Sequence, residues 1–221
     1  LPADAQEMLC QLEFKNMYDK FAKVLGVEES AMGLFGDFVE EPGAEIIHLD
    51  GNRARALFEE ILANKAKTSF VATINGNLPK LKFTEIDIYY KGAVYILDDL
   101  SNSWNLFYNY LAADVPKVTI DSKEIYKTCL CLNIKACAIV DDVALAAYLV
   151  DPGLGSYALA DLIKVYLDKE KNTACENLHD LTEVLHVLLK EKDLEKLYSE
   201  LELPLAPVLA QMEFNGIKPD L

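Results

Sequence analysis

The sequence predicts an α/β fold: a mixed β-sheet, part antiparallel meander and part parallel, flanked by helices. Three observations carry this. The runs SFVATI, KFTEIDIYY and GAVYIL follow one another within residues 69–97 with only turn residues between them, the pattern of an antiparallel meander. On either side, short β-type runs alternate with helical periodicity, which together with a meander produces a mixed sheet covered on both faces. Finally, 52% of the 221 residues are hydrophobic, enough to bury a core.

Residues 4–26 place Met8, Leu12, Phe14, Met17, Phe21, Val24 and Leu25 mostly at the three-to-four spacing of an amphipathic helix, which Gly26 is positioned to end. The following GVEESAMGLFGDFVEEPGAE has no period and reads as a linker. EIIHL then predicts a strand, and residues 52–66 a helix. Asn75, Gly76 and Asn77 supply the first meander turn and Lys91-Gly92 a tight hairpin. A helix over 102–111 leads to the short strand KVTID. Helices follow near 122–132, 142–149, 156–167, 176–200 and 204–214, and there is no internal repeat or low-complexity tract.

The length suits one good-sized domain with an appendage, or two small ones. A net charge of −15 repels nucleic-acid phosphates, so DNA contact would need a local patch or other domains. No run of about 18 apolar residues and no signal-peptide layout occurs, so the expectation is a soluble, cytoplasmic protein without a membrane partner. Five cysteines without a C-x-x-C pair read as reduced, mostly buried thiols rather than a disulfide framework or zinc site. A chain opening on Leu1 rather than Met is expected to be a piece of something longer.

Several side chains could carry chemistry. Asp141 and Asp142, opening DDVALAAYLVDPGLGSYALADLI, are either metal ligands or the start of a helix. Glu85 and Asp87 lie two apart, hence on one strand face, with Ile86 and Ile88 on the other; a solvated face with a buried back is the plain reading and a metal site the sharper one. Asp98-Asp99 read as turn and capping residues. His179, Glu183 and His186 share a helical face but lack the H-E-x-x-H order and a fourth ligand, so a solvated face is expected. His48 offers no signal. Tyr89-Tyr90-Lys91 and Trp104 near Phe107 and Tyr108 could stack bases, but with few neighbouring cations they read as core and surface aromatics.

The stretch LYSELELPLAPVLAQMEFNGIKPD, 197–220, resembles the opening of the polymerase region of family A DNA polymerases, the bacterial DNA polymerase I type, at Glu202, Pro204, Leu205, Val208, Leu209, Met212, Glu213, Gly216, Ile217 and Asp220. Upstream, AAYLVDP and Tyr157-x-Leu159-x-Asp161-Leu162-x-x-x-Tyr166-Leu167 are similar to the helix pair after the second motif of that family's 3′-5′ exonuclease domain, and LCQLEF resembles the segment joining it to the 5′ nuclease. The resemblance implies a ribonuclease H-like fold and three parts: 1–43, a linker helix region after a 5′ nuclease domain; 44–196, the exonuclease-like domain; and 197–221, the start of the polymerase domain.

It also assigns the metal-binding positions of the family's site, where two divalent ions about 3.5–4 Å apart are held by carboxylates. The Asp-x-Glu motif falls on Val71 and Thr73 or, in the other register, on Ala72 and Ile74. The second-motif Asp falls on Ile125, with Asp142 as the family's structural Asp and Asp121 left to cap the next helix. The Tyr-x-x-x-Asp motif falls on Ala174 and Leu178. None is anionic.

The expectation is therefore a vestigial, inactive proofreading domain with no catalytic residues and no metal of its own, magnesium being the parent polymerase's cofactor. It would act as a scaffold in DNA replication and repair, a monomer contacting an intramolecular polymerase domain and reaching DNA through the parent chain, weakly or not at all by itself. The alternatives are an active metal-dependent exonuclease with displaced ligands, for which Glu85 and Asp87 are the candidates, and an acidic protein-interaction module.

Overall fold

The computed structural model describes residues 44–98, 103–167 and 171–217. The expected helix over 4–26, most of the linker after it, Asp99 and Asp220 lie outside them. Strand β1 (Glu45–His48) leads to α1 (Gly51–Asn64), and β2 (Thr68–Asn75), β3 (Lys82–Tyr90) and β4 (Ala93–Asp98) form the meander. Then come α2 (Trp104–Ala112), β5 (Lys117–Thr119), α3 (Ser122–Cys131), β6 (Ile139–Asp142), α4 (Val143–Val150), α5 (Leu159–Tyr166) and α6 (Ala174–Glu191). A terminal arm runs from α7 (Glu195–Leu197) through a π-helical stretch, Tyr198–Glu202, into α8 (Leu203–Asn215). The described residues all belong to one compact unit, Pro42–Leu221.

The sheet order is β1-β4-β3-β2-β5-β6. β2, β3 and β4 pair antiparallel, while β1 joins β4, and β5 joins both β2 and β6, in parallel. Local chemistry fixes the turns. Asp50 caps α1 by accepting from the N–H groups of Asn52 and Arg53. Lys91 and Gly92, at φ 50° and 79°, form the two-residue hairpin between β3 and β4. Gly76, at φ 101°, passes so close to the Lys80 carbonyl that a Cβ would sit 2.4 Å from its oxygen.

Strand alternation divides the core in two. Phe70, Ile86, Ile88 and Leu97 pack with Phe58 of α1 and Phe107 and Tyr110 of α2, while Val71 and Val118 pack with α4, α5 and α6. Trp104 and Tyr108 pack against the first cluster, so the aromatics there are core residues, as is Tyr90. Lys117 is wholly buried on β5. Its Nζ donates to the carbonyls of Ala113 (2.8 Å), Val115 (2.8 Å) and Cys137 (3.0 Å) and lies 4.9 Å from the Tyr110 ring centre. Burial pushes this ammonium down to about 8.

Three elements differ from the sequence expectation. Ile139–Asp142 is a strand, whereas the helix was expected to open directly at 142; four residues ending in two acids carry no strand signal. The helix expected over 176–200 stops at Glu191, because Asp193 turns left-handed (φ 57°) and the Leu194 N–H bonds back to the Leu189 carbonyl. KVTID ends as a strand at Thr119, and Asp121, itself left-handed at φ 54°, makes no capping bond to α3. No helix among the described residues is long and apolar enough to cross a membrane. Cys129 and Cys175 are buried free thiols, and Cys131 and Cys137 are half-buried ones.

Lys117→Met should destabilise the fold by about 2–4 kcal/mol, because it leaves three inward-facing carbonyls without a donor. Urea denaturation would measure this as a lower midpoint at unchanged slope.

Candidate functional site

The sheet face under α6 is the first place to look. Across the β2–β3 ladder Val71 lies opposite Asp87, and Thr73 opposite Glu85, so all four share one face. Ile86 and Ile88 are fully buried on the other, as the alternation predicted. α6 covers this face: Leu178 is fully buried in the cluster that Val71 packs against, and the Cys175 thiol donates to the carbonyls of Ser69 (3.1 Å) and Asp87 (3.4 Å). Ala174, one turn before Leu178, is exposed.

The positions assigned to the metal ligands do not all meet. Val71 and Leu178 share one cluster, whereas Ala72, Ile74 and Ile125 belong to the cluster on the opposite face. Of the two registers for the first motif, Val71 and Thr73 is the one that faces α6. Ile125 does not join them, because α3 turns it inward with Cys129 against the α1–α2 side. Val71 and Leu178 have no donor atom, and Thr73 has only a hydroxyl. This set does not fit a pair of divalent ions.

Asp87 is half-buried and its Oδ1 is buried without a hydrogen-bond partner. Burial, and then the negative charge of Glu85, push its carboxyl up to about 6, against a weaker opposing effect from His48. Glu85 and His48 themselves are exposed. Among the described residues no group of three or more His, Cys, Asp or Glu side chains is arranged to hold a metal ion.

The second polar centre is at the end of β6. Asp142 is 1% exposed, and its carboxylate serves two helices. Oδ1 accepts from the N–H groups of Ala144 (3.0 Å) and Leu145 (3.4 Å) in α4, and Oδ2 from that of Ser122 (2.6 Å), which opens α3. The cap of α3 is thus Asp142, not Asp121. Burial nonetheless pushes the Asp142 carboxyl up, with the bonds from Ser122, Leu145 and Ala144 pulling it back.

Asp141, 2% exposed, accepts from the Tyr198 hydroxyl at Oδ1 and bonds His186 Nε2 at Oδ2, each at 2.5 Å. So the two aspartates hold helices and side chains. His186 is correspondingly not part of a merely solvated face, and His179 stacks on Tyr89 with ring centres 5.1 Å apart. Sequence reasoning missed the Asp141–His186–Tyr198 cluster because its members lie 45 and 57 residues apart with no motif joining them. On the Asp142 side a hollow of about 300 Å³ is lined by the acids Asp121, Glu124, Asp142 and Glu202, by Lys123, and by apolar residues including Leu205.

The fold is a mixed α/β fold of the ribonuclease H-like kind. Two solved nucleases share it: the apo form of one (TM-score 0.61, 14% identity, covering 79% of this chain and 95% of that one), and Brucella melitensis NrnC with bound Mg2+ (0.56, 13%, 78% and 92%). Part of the chain is, more particularly, similar in sequence to bacterial DNA polymerase I. It is 35% identical over 109 residues to DNA polymerase I of Mycobacterium bovis and of Mycobacterium tuberculosis, an alignment covering 38% of this chain. It spans 12% of the length of these curated relatives. The POL domain of Pol1 from M. smegmatis, solved with DNA primer-template and dNTP, superimposes with a TM-score of 0.66 at 24% identity over 78% of this chain and 32% of that one. No protein-family model matches the chain.

Two outcomes follow from the two centres. Asp142→Ala should cost about 2–4 kcal/mol, since it uncaps α4 and strands a buried N–H at Ser122, while Asp142→Asn, keeping an acceptor, should lose less than half of that in the same urea titration. At Asp87 the folded carboxyl is raised from 3.8 to about 6, so it favours folding below 3.8 and that contribution is lost as pH rises through 6. Asp87→Asn should therefore raise stability at pH 7.5 by about 1 kcal/mol, allowing for solvent screening, and leave it unchanged near pH 3. Thermal unfolding at the two pH values reads the difference.

Proposed function

We propose that this chain is a nuclease-like domain that does not proofread, and that it serves as spacer and packing partner for a polymerase region acting in DNA replication and repair. The observation that carries this reading is the α6-covered face. There the positions matching the family's metal-binding motif are Val71 and Thr73, with Leu178 above them, and none supplies the charge needed to hold two dications together. Ile125 and Ala174, the remaining matched positions, are equally without a carboxylate.

The packing role draws on the arm. Leu201, Leu205, Val208 and Met212 are 40–63% exposed and spaced four, three and four residues apart, so they form one apolar stripe. A stripe of this kind fits a partner surface. On this reading residues 1–43 are a linker helix region, 44–196 the nuclease-like domain and 197–221 the start of the polymerase region. The chain is a cytoplasmic monomer that reaches DNA through that region, which alone requires magnesium.

A second reading has one observation in its favour. Asp87 and Glu85 stand directly across the ladder from Val71 and Thr73, and Asp87 Oδ1 is buried without a partner, as a carboxylate displaced by one strand would be. One assay separates the two. The purified protein, given a 3′-labelled single-stranded oligonucleotide with Mg2+ or Mn2+, should release no more nucleotide than a chelated control. Chelator-sensitive release that Glu85→Gln or Asp87→Asn abolishes would instead establish the displaced site and overturn the scaffold reading.

A further inference from the structure

We propose that Asp141, His186 and Tyr198 form a pH-sensitive latch that fastens the terminal arm to the sheet, closed while His186 is protonated and loosened when it loses its proton. Tyr198 is the anchor. In the arm over 195–217 the buried residues are Tyr198, Ala206 and Ala210, so the tyrosine, 3% exposed, is the one large side chain sunk into the domain. Its hydroxyl donates to Asp141 Oδ1, receives the Asp142 N–H at 2.7 Å, and lies 3.2 Å from the Asp142 carbonyl.

The latch turns on what neutralises Asp141. Its side chain is 3% exposed, and its one ion pair among the described residues is to His186. A buried carboxylate without a counter-charge is costly, so the proton on His186 governs whether the pocket that receives Tyr198 is electrically balanced. The imidazole is 43% exposed and exchanges its proton with water, while its ring meets Tyr198 edge-on at 6.0 Å.

The charged groups around it come from four elements. Asp141 on β6 and Glu195 on α7 favour the protonated ring, whereas Lys67, in the loop before β2, opposes it. On α6 itself, Glu183 and Lys190 lie one turn away on either side. The net effect, led by the Asp141 bond, holds His186 above its ordinary 6.5. The sign follows: the contribution is complete below 6.5 and is lost as pH rises through the elevated value.

The arm's other polar tie does not change over this range. Glu213 pairs with Lys123 and Lys127 at 2.7 Å each, and those lysines hold its carboxyl down to about 2. Asp121, beside the arm in the acidic hollow, is raised by burial and by Asp142. A variant at His186 removes the latch's titration and leaves that of Asp121 in place.

The test is amide hydrogen exchange on the whole protein between pH 6 and 9, corrected for the chemical exchange rate and referenced to the amides of β3. Protection over 198–215 should fall about tenfold across that window. In His186→Gln, which keeps a donor but cannot titrate, protection should not vary with pH, and in Tyr198→Phe it should be low throughout. Unvarying protection in the wild-type protein, or an equal fall in His186→Gln, would overturn the latch. An unvarying wild-type profile overturns the latch even if a variant fails to fold.

Discussion

Two adjacent carboxylates at the end of β6 organise much of the second half of the fold. A strand directs neighbouring side chains to opposite sides, so Asp141 and Asp142 address different partners from one short segment. Asp142 takes the first N–H groups of α3 and α4, which fixes where both helices leave the sheet. Asp141 takes Tyr198 and His186, which fixes where the arm returns to it. Both charges are nearly out of water, and burial of that kind persists only where donors converge. The elements that supply them, α3, α4, α6 and the π-helical stretch, are thereby held in one arrangement.

The same alternation arranges the two sides of the meander. On β2 and β3 it sends Phe70, Ile86 and Ile88 into the aromatic cluster and Val71, Thr73, Glu85 and Asp87 to the opposite side of the sheet. A divalent-metal site needs several oxygen ligands directed at one point. Here the two carboxylates share one strand, and the residues facing them across the ladder are a valine and a threonine. Leu178 closes the space from above.

Much of this was legible in the residues. Lys82–Tyr90 reads as a strand from its alternation, and its buried and exposed sides fall where Ile86, Ile88, Glu85 and Asp87 predicted them. Asp142 reads as a helix start, because a carboxylate before VALAAYLV has free N–H groups ahead of it. What could not be read was anything that depends on two distant segments meeting. Nothing near Ser122 says that its N–H is capped from 20 residues away, so Asp121 looked like the cap. His186 looked like a surface histidine for the same reason: its partner is on another element. Ile125 sits at a fixed distance from Asp142 along the chain, and that distance does not reveal which way α3 turns its apolar side.

This bears on what can change in such a domain without loss of the fold. The groups that hold the architecture, Asp141, Asp142, Tyr198 and Lys117, are buried and satisfied by backbone or by one another. Val71 and Leu178, under the helix α6, contribute packing that any residue of similar volume would supply. Exchanging a metal-binding carboxylate for an apolar side chain on the α6-covered face removes a charge repulsion and adds buried apolar area, so the fold gains what the chemistry loses. Asp87 is the exception on that face: its carboxyl is pushed up by burial and by Glu85, and its Oδ1 is buried without a hydrogen-bond partner. It is the one carboxylate there whose presence stability does not explain.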